Sequence, residues 1–284
     1  MADIYGAIIG DIVGSLLEVY EIEDKKNNII NVDRRKSILK PNFELFNDKC
    51  SFTDDSILTS AVAEAILTDG NYEKTIREFG LKEKNLGMDI YGRSKFGDGF
   101  IQWLESKGKS CSWGNGCAMR ISPVGYAFDS LEKTLLEAEK SIICTHNNPD
   151  SISCGKAVAG AIFLARNGAS KEEIEDFVSG YVQNLDFDLE QLQETYNFKV
   201  KAINSVPQAI YCFLISENFE DALRKCLSIG GDSDTIASIT GGIAGAFYSI
   251  PEEFKEKAKG YISKEYIDIL ENFNHRFAQI EKSI

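Results

Sequence analysis

Histidine and proline are scarce in this sequence of 284 residues, which contains 2 histidines and 5 prolines. The two histidines, His146 and His275, are too few for a metal site built from imidazole ligands. Closely paired cysteines are absent as well, because none of the 7 cysteines forms a Cys-x-x-Cys motif. An odd number of cysteines in mostly apolar surroundings favours reduced thiols, and it therefore predicts a cytoplasmic protein.

Positive charge is also in deficit, since 31 Lys and Arg against 44 Asp and Glu leave a formal net charge of −13. This balance argues against a basic face that binds nucleic acid and against a surface that binds anionic membranes. No uninterrupted apolar stretch is long enough to span a bilayer, and the first apolar run, which ends at Asp11, predicts no signal peptide. An anionic ligand would need local attraction from metal ions, helix N-termini or backbone amides.

Helical periodicity dominates the chain, whereas strand-like alternation is rare and no βαβ rhythm is visible. The pattern predicts an all-α fold, with one compact multi-helix domain over residues 1–284. The polar segment 21–50 is predicted to be a surface loop excursion, and residues 251–284 are predicted to be a peripheral helical tail. Glycines at 6, 10 and 14 share one stripe of a helix over residues 4–19, so another helix is expected to approach it closely.

Two acids lie on the same face of that first helix, two turns apart, at Asp11 and Glu18. An acid on a buried stripe needs a structural or functional reason. For Asp11 we favour a cap or a turn that faces the surface, and this explanation is weaker for Glu18.

Two short acidic motifs open helices that are far apart in the sequence. Thr53-Asp54-Asp55 precedes an apolar helical face, and Asp232-Ser233-Asp234-Thr235 follows two glycines. Hard oxygen ligands at this density suit Mg²⁺, Mn²⁺ or Ca²⁺ better than Zn²⁺. Either motif alone is equally explained by an N-cap followed by acids that the helix dipole favours. Because the grouping occurs twice, we expect the two motifs to converge on a two-metal site.

Two glycine-containing loops and one histidine are further candidates for ligand contacts. The Gly97-Asp98-Gly99 segment can offer backbone N–H groups to an anion, although Gly-x-Gly is also a common turn. In Ser112-Trp113-Gly114-Asn115 an Asn-Gly turn follows an aromatic side chain that fits a ligand rim. His146 lies at a junction between two helices, where a structural or exposed histidine is the more common case.

Together these motifs resemble the ADP-ribosylglycohydrolase family from Gly6 to about Glu253. The first helix, through Glu18, resembles the family's N-terminal helix with its functional glutamate, and the two acidic motifs resemble its two metal motifs. The segment Gly114–Arg120 is similar to the loop that holds ADP-ribose. Phe96–Gly99 is similar to the diphosphate loop, and Thr145-His146 resembles the segment that contacts the distal part of the ligand. The sequence departs from the family pattern at Ser56, where Thr is common, and at Cys117, where Gly or Ser is usual.

The resemblance implies hydrolysis of the N- or O-glycosidic bond that joins ADP-ribose to a modified protein side chain or a small molecule, with release of ADP-ribose. It implies two Mg²⁺ ions, or Mn²⁺, held by Thr53, Asp54 and Asp55 on one side and by Asp232, Asp234 and Thr235 on the other. The expected catalytic residues are Glu18, Asp55 and Asp232, with Glu18 as general base and Asp98 as the second choice. The expected substrate contacts are Gly97, Asp98, Gly99, Ser112, Trp113, Gly114, Asn115 and His146.

In this hypothesis the diphosphate lies on backbone N–H groups of Gly97, Gly99 and the 112–115 loop. Two alternatives remain at this point. One is a catalytically silent ADP-ribose binder on the same fold, and the other is a different two-metal hydrolase, such as a phosphohydrolase. The acceptor also stays open between arginine, serine, nucleobase and small ester linkages.

Overall fold

The computed structural model describes residues 3–90, 92–106, 108 and 110–277. Its helices, in chain order, are α1 (Tyr5–Lys26), α2 (Val32–Ile38), α3 (Asp54–Leu67), α4 (Tyr72–Leu86), α5 (Asp98–Glu105), α6 (Gly116–Met119), α7 (Ser122–Ala127), α8 (Leu131–Ile143), α9 (Pro149–Arg166), α10 (Lys171–Ser179), α11 (Leu189–Thr195), α12 (Val206–Leu214), α13 (Phe219–Ser228), α14 (Ser233–Phe247), α15 (Glu252–Lys259) and α16 (Lys264–Phe277). A short 3-10 turn, Ala202–Asn204, precedes α12. Over these residues only isolated bridges, and no strand, accompany the helices, so the all-α prediction is confirmed.

The centre of the molecule is the pair α1 and α14, which the glycine stripe of α1 brings into contact. A Cβ atom added at Gly10 would lie 2.0 Å from the carbonyl oxygen of Ala237, and one at Gly6 would lie 2.2 Å from that of Gly241. At Gly14 the added atom would lie 2.5 Å from the backbone of Asp234. The predicted close approach is therefore confirmed, and it places the start of α14 directly against α1.

The other helices pack around this central pair. Helix α3 packs on α1, α14 and α7, while α9, α12 and α13 pack on α14. Helix α14 is built from small and apolar side chains that are almost all buried, as expected for a helix covered on every side. The starts of α3 and α14, each carrying an acidic motif, come together against α1.

The segment 21–50 is more ordered than the sequence predicted. Helix α1 continues to Lys26, and α2 occupies residues 32–38, so the prediction of a surface loop was wrong for these parts. Arg35 is only 1% exposed and pairs with Glu21 at 2.5 Å. Charged residues that neutralise each other in the interior make a sequence look like a surface segment, and this explains the error.

After residue 251 the chain forms α15 and α16, and residues 278–284 lie outside the described part. Helix α16 packs on α3 and buries Leu270 and Phe273. The side chain of Asn274 accepts a 3.1 Å hydrogen bond from the backbone of Ile4, which fixes the entry into α1. Among the described residues, the helices are too short or too polar for any of them to cross a bilayer.

Candidate active site

One cavity of about 560 Å³ collects most of the residues selected from the sequence. Its lining includes Glu18, Thr53, Asp54, Asp55, Gly97, Gly99, Ser112, Gly114, Asn115, His146, Asp232, Asp234 and Thr235. Two predicted residues, Asp98 and Trp113, do not line it. Asp98 is exposed, and the indole of Trp113 is 58% exposed beneath the Lys201 ammonium group. Residues from six separate regions of the sequence thus meet at one cavity.

Five acidic side chains form two groups at the cavity: Glu18, Asp55, Asp232 and Asp234 line it, and Asp11 is fully buried next to them. Carboxylate oxygens of Asp11, Asp55 and Asp234 lie within 4.8 Å of one another, and so do those of Glu18, Asp232 and Asp234. Asp234 belongs to both groups, so the two are contiguous. Oxygen ligands in this arrangement suit hard divalent cations.

Asp11 is the acid whose position the sequence did not reveal. It is fully buried, and one carboxylate oxygen accepts hydrogen bonds from the backbone N–H groups of Thr53, at 3.0 Å, and Ser56, at 3.1 Å. Its other oxygen accepts from the Thr53 hydroxyl. Asp11 therefore caps α3 from another helix, so the expected cap is present but the surface-facing position is wrong. The available signal was its place between two glycines on a stripe predicted to be buried.

The electrostatics of the cluster favour a bound cation. Burial raises the pKa of Asp11 to about 6 and that of Asp232 to about 7. Burial, reinforced by neighbouring carboxylates, raises the pKa values of Asp54, Asp55 and Asp234 well above their usual range. One oxygen of Asp55 is buried without a hydrogen-bond partner in the described part of the chain. A divalent cation would supply the compensating charge that this set of residues lacks.

Glu18 projects from α1 at the edge of the cluster and pairs with an arginine. Arg93 Nη1 lies 3.0 Å from Glu18 Oε2, while Arg93 Nε lies 2.8 Å from Asp89 Oδ2. Burial raises the pKa of Glu18, and the Arg93 guanidinium acts in the opposite direction. No sequence motif linked Arg93 to the site, because Glu18, its partner in the cluster, lies 75 residues away in the chain.

The two glycine-containing loops differ in what they offer an anion. Gly97 is the N-cap of α5, and within the described residues the N–H groups of Gly97, Asp98 and Gly99 donate to no protein acceptor. Such N–H groups are available to an anion, and the anion-binding role stays a prediction. The loop that begins at Ser112 is different.

In the 112–115 loop most backbone donors are already used. The N–H of Ser112 donates to the Thr145 carbonyl at 3.3 Å, and the N–H of Asn115 donates to the Val200 carbonyl at 2.9 Å. The N–H of Gly114 donates to the Ser112 hydroxyl at 3.1 Å. The expectation that these three N–H groups hold the diphosphate is therefore wrong. The loop reaches the acidic cluster through its side chain instead, since Asn115 Nδ2 lies 2.7 Å from Asp232 Oδ2.

His146 follows α8 and is 7% exposed at the cavity wall, so it is neither an exposed histidine nor remote from the site. The Thr145 hydroxyl lies 2.7 Å from its Nδ1 atom. Burial, with the neighbouring Arg120 charge, holds the pKa of His146 well below its usual value, so the ring is neutral.

The fold matches a solved structure described as an ADP-ribosylglycohydrolase-related protein complex, with a TM-score of 0.64 and 21% sequence identity. The match covers 90% of this chain and 94% of that chain. The protein is thus an all-helical domain of the ADP-ribosylglycohydrolase type. The family model described as ADP-ribosylglycohydrolase matches residues 2–282, and the chain belongs to this family.

Two curated relatives are similar over most of their length. The human ADP-ribosylhydrolase ARH3 is 26% identical to this chain, and the match covers 96% of this chain and 92% of the relative. The ADP-ribosylarginine hydrolase Tri1 of Serratia proteamaculans is 24% identical over 280 residues, which cover 89% of this chain and 73% of the relative. The resemblance stated from the sequence motifs is confirmed.

Proposed function

We propose that this protein hydrolyses the glycosidic bond between ADP-ribose and an acceptor, and that it needs two divalent cations, Mg²⁺ or Mn²⁺, to do so. One observation carries the proposal. Two clusters of carboxylates share Asp234, and four of their five members, Glu18, Asp55, Asp232 and Asp234, line a cavity large enough for a nucleotide-sized ligand. The names of the relatives, which describe hydrolases of ADP-ribosylated substrates, support the same reaction class.

The residues that would hold the cations are Thr53, Asp54, Asp55, Asp232, Asp234 and Thr235, together with Asp11. When bound, the cations would offset the charge of the buried carboxylates and fix the hydroxyls of the ribose. Different contacts hold the two acidic motifs in place. Asp11 holds the start of α3 by accepting two backbone hydrogen bonds, and the Asn115 amide orients the Asp232 carboxylate.

Glu18 is the general base in this proposal. It accepts the proton of the attacking water as the new C–O bond forms at the anomeric carbon, and the acceptor departs with its bonding electrons. The Arg93 guanidinium favours the ionised form of the carboxylate and fixes its direction. Asp98, the second choice, is exposed and does not line the cavity, which favours Glu18.

The anionic part of the ligand has a suitable place at the start of α5. Three consecutive N–H groups, at residues 97–99, lie at the N-terminal end of this helix, where the helix dipole also favours negative charge. Gly97 and Gly99 line the cavity and carry no side chain that would block the approach.

A hydrolysis panel tests the proposal. Arginine-, serine- and ester-linked ADP-ribose are incubated with the protein in Mg²⁺ or in EDTA, and the products are resolved by chromatography. We expect release of ADP-ribose from at least one linkage in Mg²⁺ only, and a large loss of kcat with Glu18→Gln. Release of phosphate would instead indicate a phosphohydrolase, and binding of ADP-ribose without any hydrolysis would indicate a silent binder.

A further inference from the structure

Three buried side chains form a hydrogen-bonded chain that ends at the cavity. Arg120 Nη2 lies 2.5 Å from Thr145 Oγ1, and Thr145 Oγ1 lies 2.7 Å from His146 Nδ1. All three residues are buried: Arg120 is 1% exposed, Thr145 2% and His146 7%. Water therefore has little access to this chain, and its own donors and acceptors decide where each hydrogen lies.

Which group donates in each of these two hydrogen bonds follows from the chemistry of Arg120. A guanidinium group can only donate, so the Thr145 hydroxyl oxygen accepts from Arg120. The hydroxyl hydrogen then needs an acceptor, and His146 Nδ1 is the one that the described hydrogen bonds provide. A neutral imidazole that accepts at Nδ1 carries its hydrogen on Nε2.

The Nε2 atom lies beside Gly114 and Gly116, two glycines that line the cavity together with His146. A Cβ atom added at Gly116 would lie 3.2 Å from His146 Nε2, and one added at Gly114 would lie 3.5 Å from it. Within the described residues Nε2 has no hydrogen-bond partner. Three backbone N–H groups of this loop already donate to protein acceptors, so Nε2–H would be a donor that the loop backbone does not provide.

We propose that Arg120 and Thr145 are positioning residues: they hold His146, which the sequence motifs already marked as a substrate contact, as the Nε2–H tautomer, so that the ring presents a hydrogen-bond donor to the ligand. The tautomer follows from the protein alone, whereas the identity of the ligand rests on the proposed function. An imidazole in the other tautomer would present a lone pair to the cavity and would repel an anionic oxygen at the same place.

Nitrogen NMR reads the tautomer directly. The chain contains only 2 histidines, so long-range ¹H–¹⁵N correlations of the labelled protein resolve His146 with the exposed His275 as an internal reference. We expect the spectrum of His146 to show an unprotonated Nδ1 and a protonated Nε2. Free ADP-ribose is then added, and the Nε2 resonance is expected to shift on binding.

Two variants at one position separate positioning from packing. Thr145→Val keeps the shape of the side chain but removes the hydroxyl, and we expect it to populate the other tautomer and to weaken ADP-ribose binding about tenfold in calorimetry. Thr145→Ser keeps the hydroxyl and is expected to restore both the tautomer and the affinity. Far-UV circular dichroism and a melting curve establish that both variants are folded.

Each part of the proposal has its own contrary result. A hydrogen on Nδ1 in the wild-type protein, or an unchanged tautomer in Thr145→Val, would overturn the positioning role. Wild-type affinity for ADP-ribose in a Thr145→Val protein that has changed tautomer would overturn the hydrogen bond to the ligand. If the wild-type protein does not bind ADP-ribose at all, the proposed function fails together with the ligand contact, while the tautomer is still decided by the spectrum.

Discussion

The side-chain amide of Asn115 donates a 2.7 Å hydrogen bond to a carboxylate oxygen of Asp232. This contact joins the 112–115 loop to the acidic motif at the start of α14, 117 residues further along the chain. Both residues are buried, so the amide determines which way the Asp232 carboxylate points. In the proposed metal site Asn115 would hydrogen-bond to a metal ligand without contacting the metal, and partners of that kind commonly control metal affinity and rate.

Replacing Asn115 by Ala should therefore lower kcat by about 10- to 100-fold without unfolding the protein. Asn115→Asp should be worse, because it adds a carboxylate to a cluster that already lacks positive charge. Steady-state kinetics and calorimetric Mn²⁺ titrations measure both effects. Asn71→Ala is the control, since Asn71 caps α4 at an exposed position away from the cavity. Equal kcat values for Asn115→Ala and the wild type would show that the contact has no functional role.

The close contact between α1 and α14 predicts that Gly10→Ala is severely destabilising. The new Cβ atom would lie 2.0 Å from the Ala237 carbonyl oxygen, and a backbone atom in a buried helix cannot move aside cheaply. We expect a loss of at least about 3 kcal/mol in the free energy of unfolding, or no soluble protein. Gly180→Ala is the matched control, because its Cβ atom would meet only ordinary contact at 3.4 Å and its φ of −75° suits alanine. Urea unfolding that places both variants near the wild type would contradict this helix contact.

The sequence predicts features that depend on neighbouring residues and misses those that depend on contacts between distant residues. The glycine stripe at residues 6–14 and the motifs at residues 53–55 and 232–235 are local patterns, and each one constrains its own helix. Their convergence could be inferred because the same grouping occurs twice. The positions of Asp11 and Arg93 could not be inferred, because each depends on a partner distant in sequence that only the packed helices bring near.

A second limit concerns segments whose charges are paired internally. The polar run that contains Arg35 has weak periodicity, and composition favours a solvated loop for such a stretch. In the structure the charges of Arg35 and Glu21 face each other in the interior, so polarity in the sequence does not report exposure there. The sequence also does not show which backbone N–H groups are already engaged in hydrogen bonds, as those of the 112–115 loop are.

Divalent cations should stabilise this protein strongly. Without them, several carboxyl groups with raised pKa values lie together in the interior, and a bound cation removes that cost. A cation at a hundred times its dissociation constant adds about 2.7 kcal/mol to the free energy of unfolding. We therefore expect the melting temperature to rise by several degrees from EDTA to Mg²⁺ or Mn²⁺, as measured by calorimetry.

Asp55→Asn tests the origin of that stabilisation. This variant removes one buried negative charge, so we expect a higher melting temperature than the wild type in EDTA and little further increase with Mg²⁺. Activity should be lost although the protein is folded. Asp176→Asn, at an exposed site on α10, should retain the wild-type response to cations. A wild-type protein whose melting temperature is the same in EDTA and in Mg²⁺ would argue against the metal site.

The neutral state of His146 predicts a specific pH dependence of stability. Its pKa in the folded protein is held well below 6.5 by burial and by Arg120, whereas the unfolded chain binds a proton near pH 6.5. Stability from this residue is therefore present above pH 6.5 and is lost as the pH falls below it. Between pH 7.5 and 5.5 the wild type should lose up to about 1.4 kcal/mol relative to His146→Gln.

Urea unfolding of the two proteins at both pH values gives this difference, and the titration of the carboxyl groups cancels because both proteins share them. His275→Gln controls for the substitution itself, since His275 is exposed. A constant difference between the wild type and His146→Gln from pH 7.5 to 5.5 would mean that the imidazole takes up its proton in the folded state as easily as in the unfolded chain.

The pair Glu21 and Arg35 links α1 and α2 to the turn that precedes Asp232. Glu21 Oε2 accepts from Arg35 Nη2 at 2.5 Å and from the backbone N–H of Gly231 at 3.2 Å. Arg35 Nη1 donates to the carbonyl oxygens of Gln193 and Tyr196, at 3.0 and 2.8 Å. Burial raises the pKa of Glu21, but its hydrogen bonds with Arg35 and the charge of Arg35 outweigh burial, so the net pKa is lowered and the carboxylate stays ionised.

Removing the cation of this pair should therefore be costly. Arg35→Met leaves the Glu21 carboxylate buried beside Gly231, and we expect a loss of about 3–5 kcal/mol in the free energy of unfolding. Arg34→Met is the matched control, because Arg34 also pairs with Glu21, at 2.9 Å, but is 20% exposed and should contribute less than about 1 kcal/mol. Adding Glu21→Gln to Arg35→Met should recover part of the loss, since it removes the stranded charge. Only Arg35 has its charge buried, so a charge effect should make Arg35→Met much more costly than Arg34→Met. Equal losses in urea unfolding would instead assign the stability to packing of the two side chains.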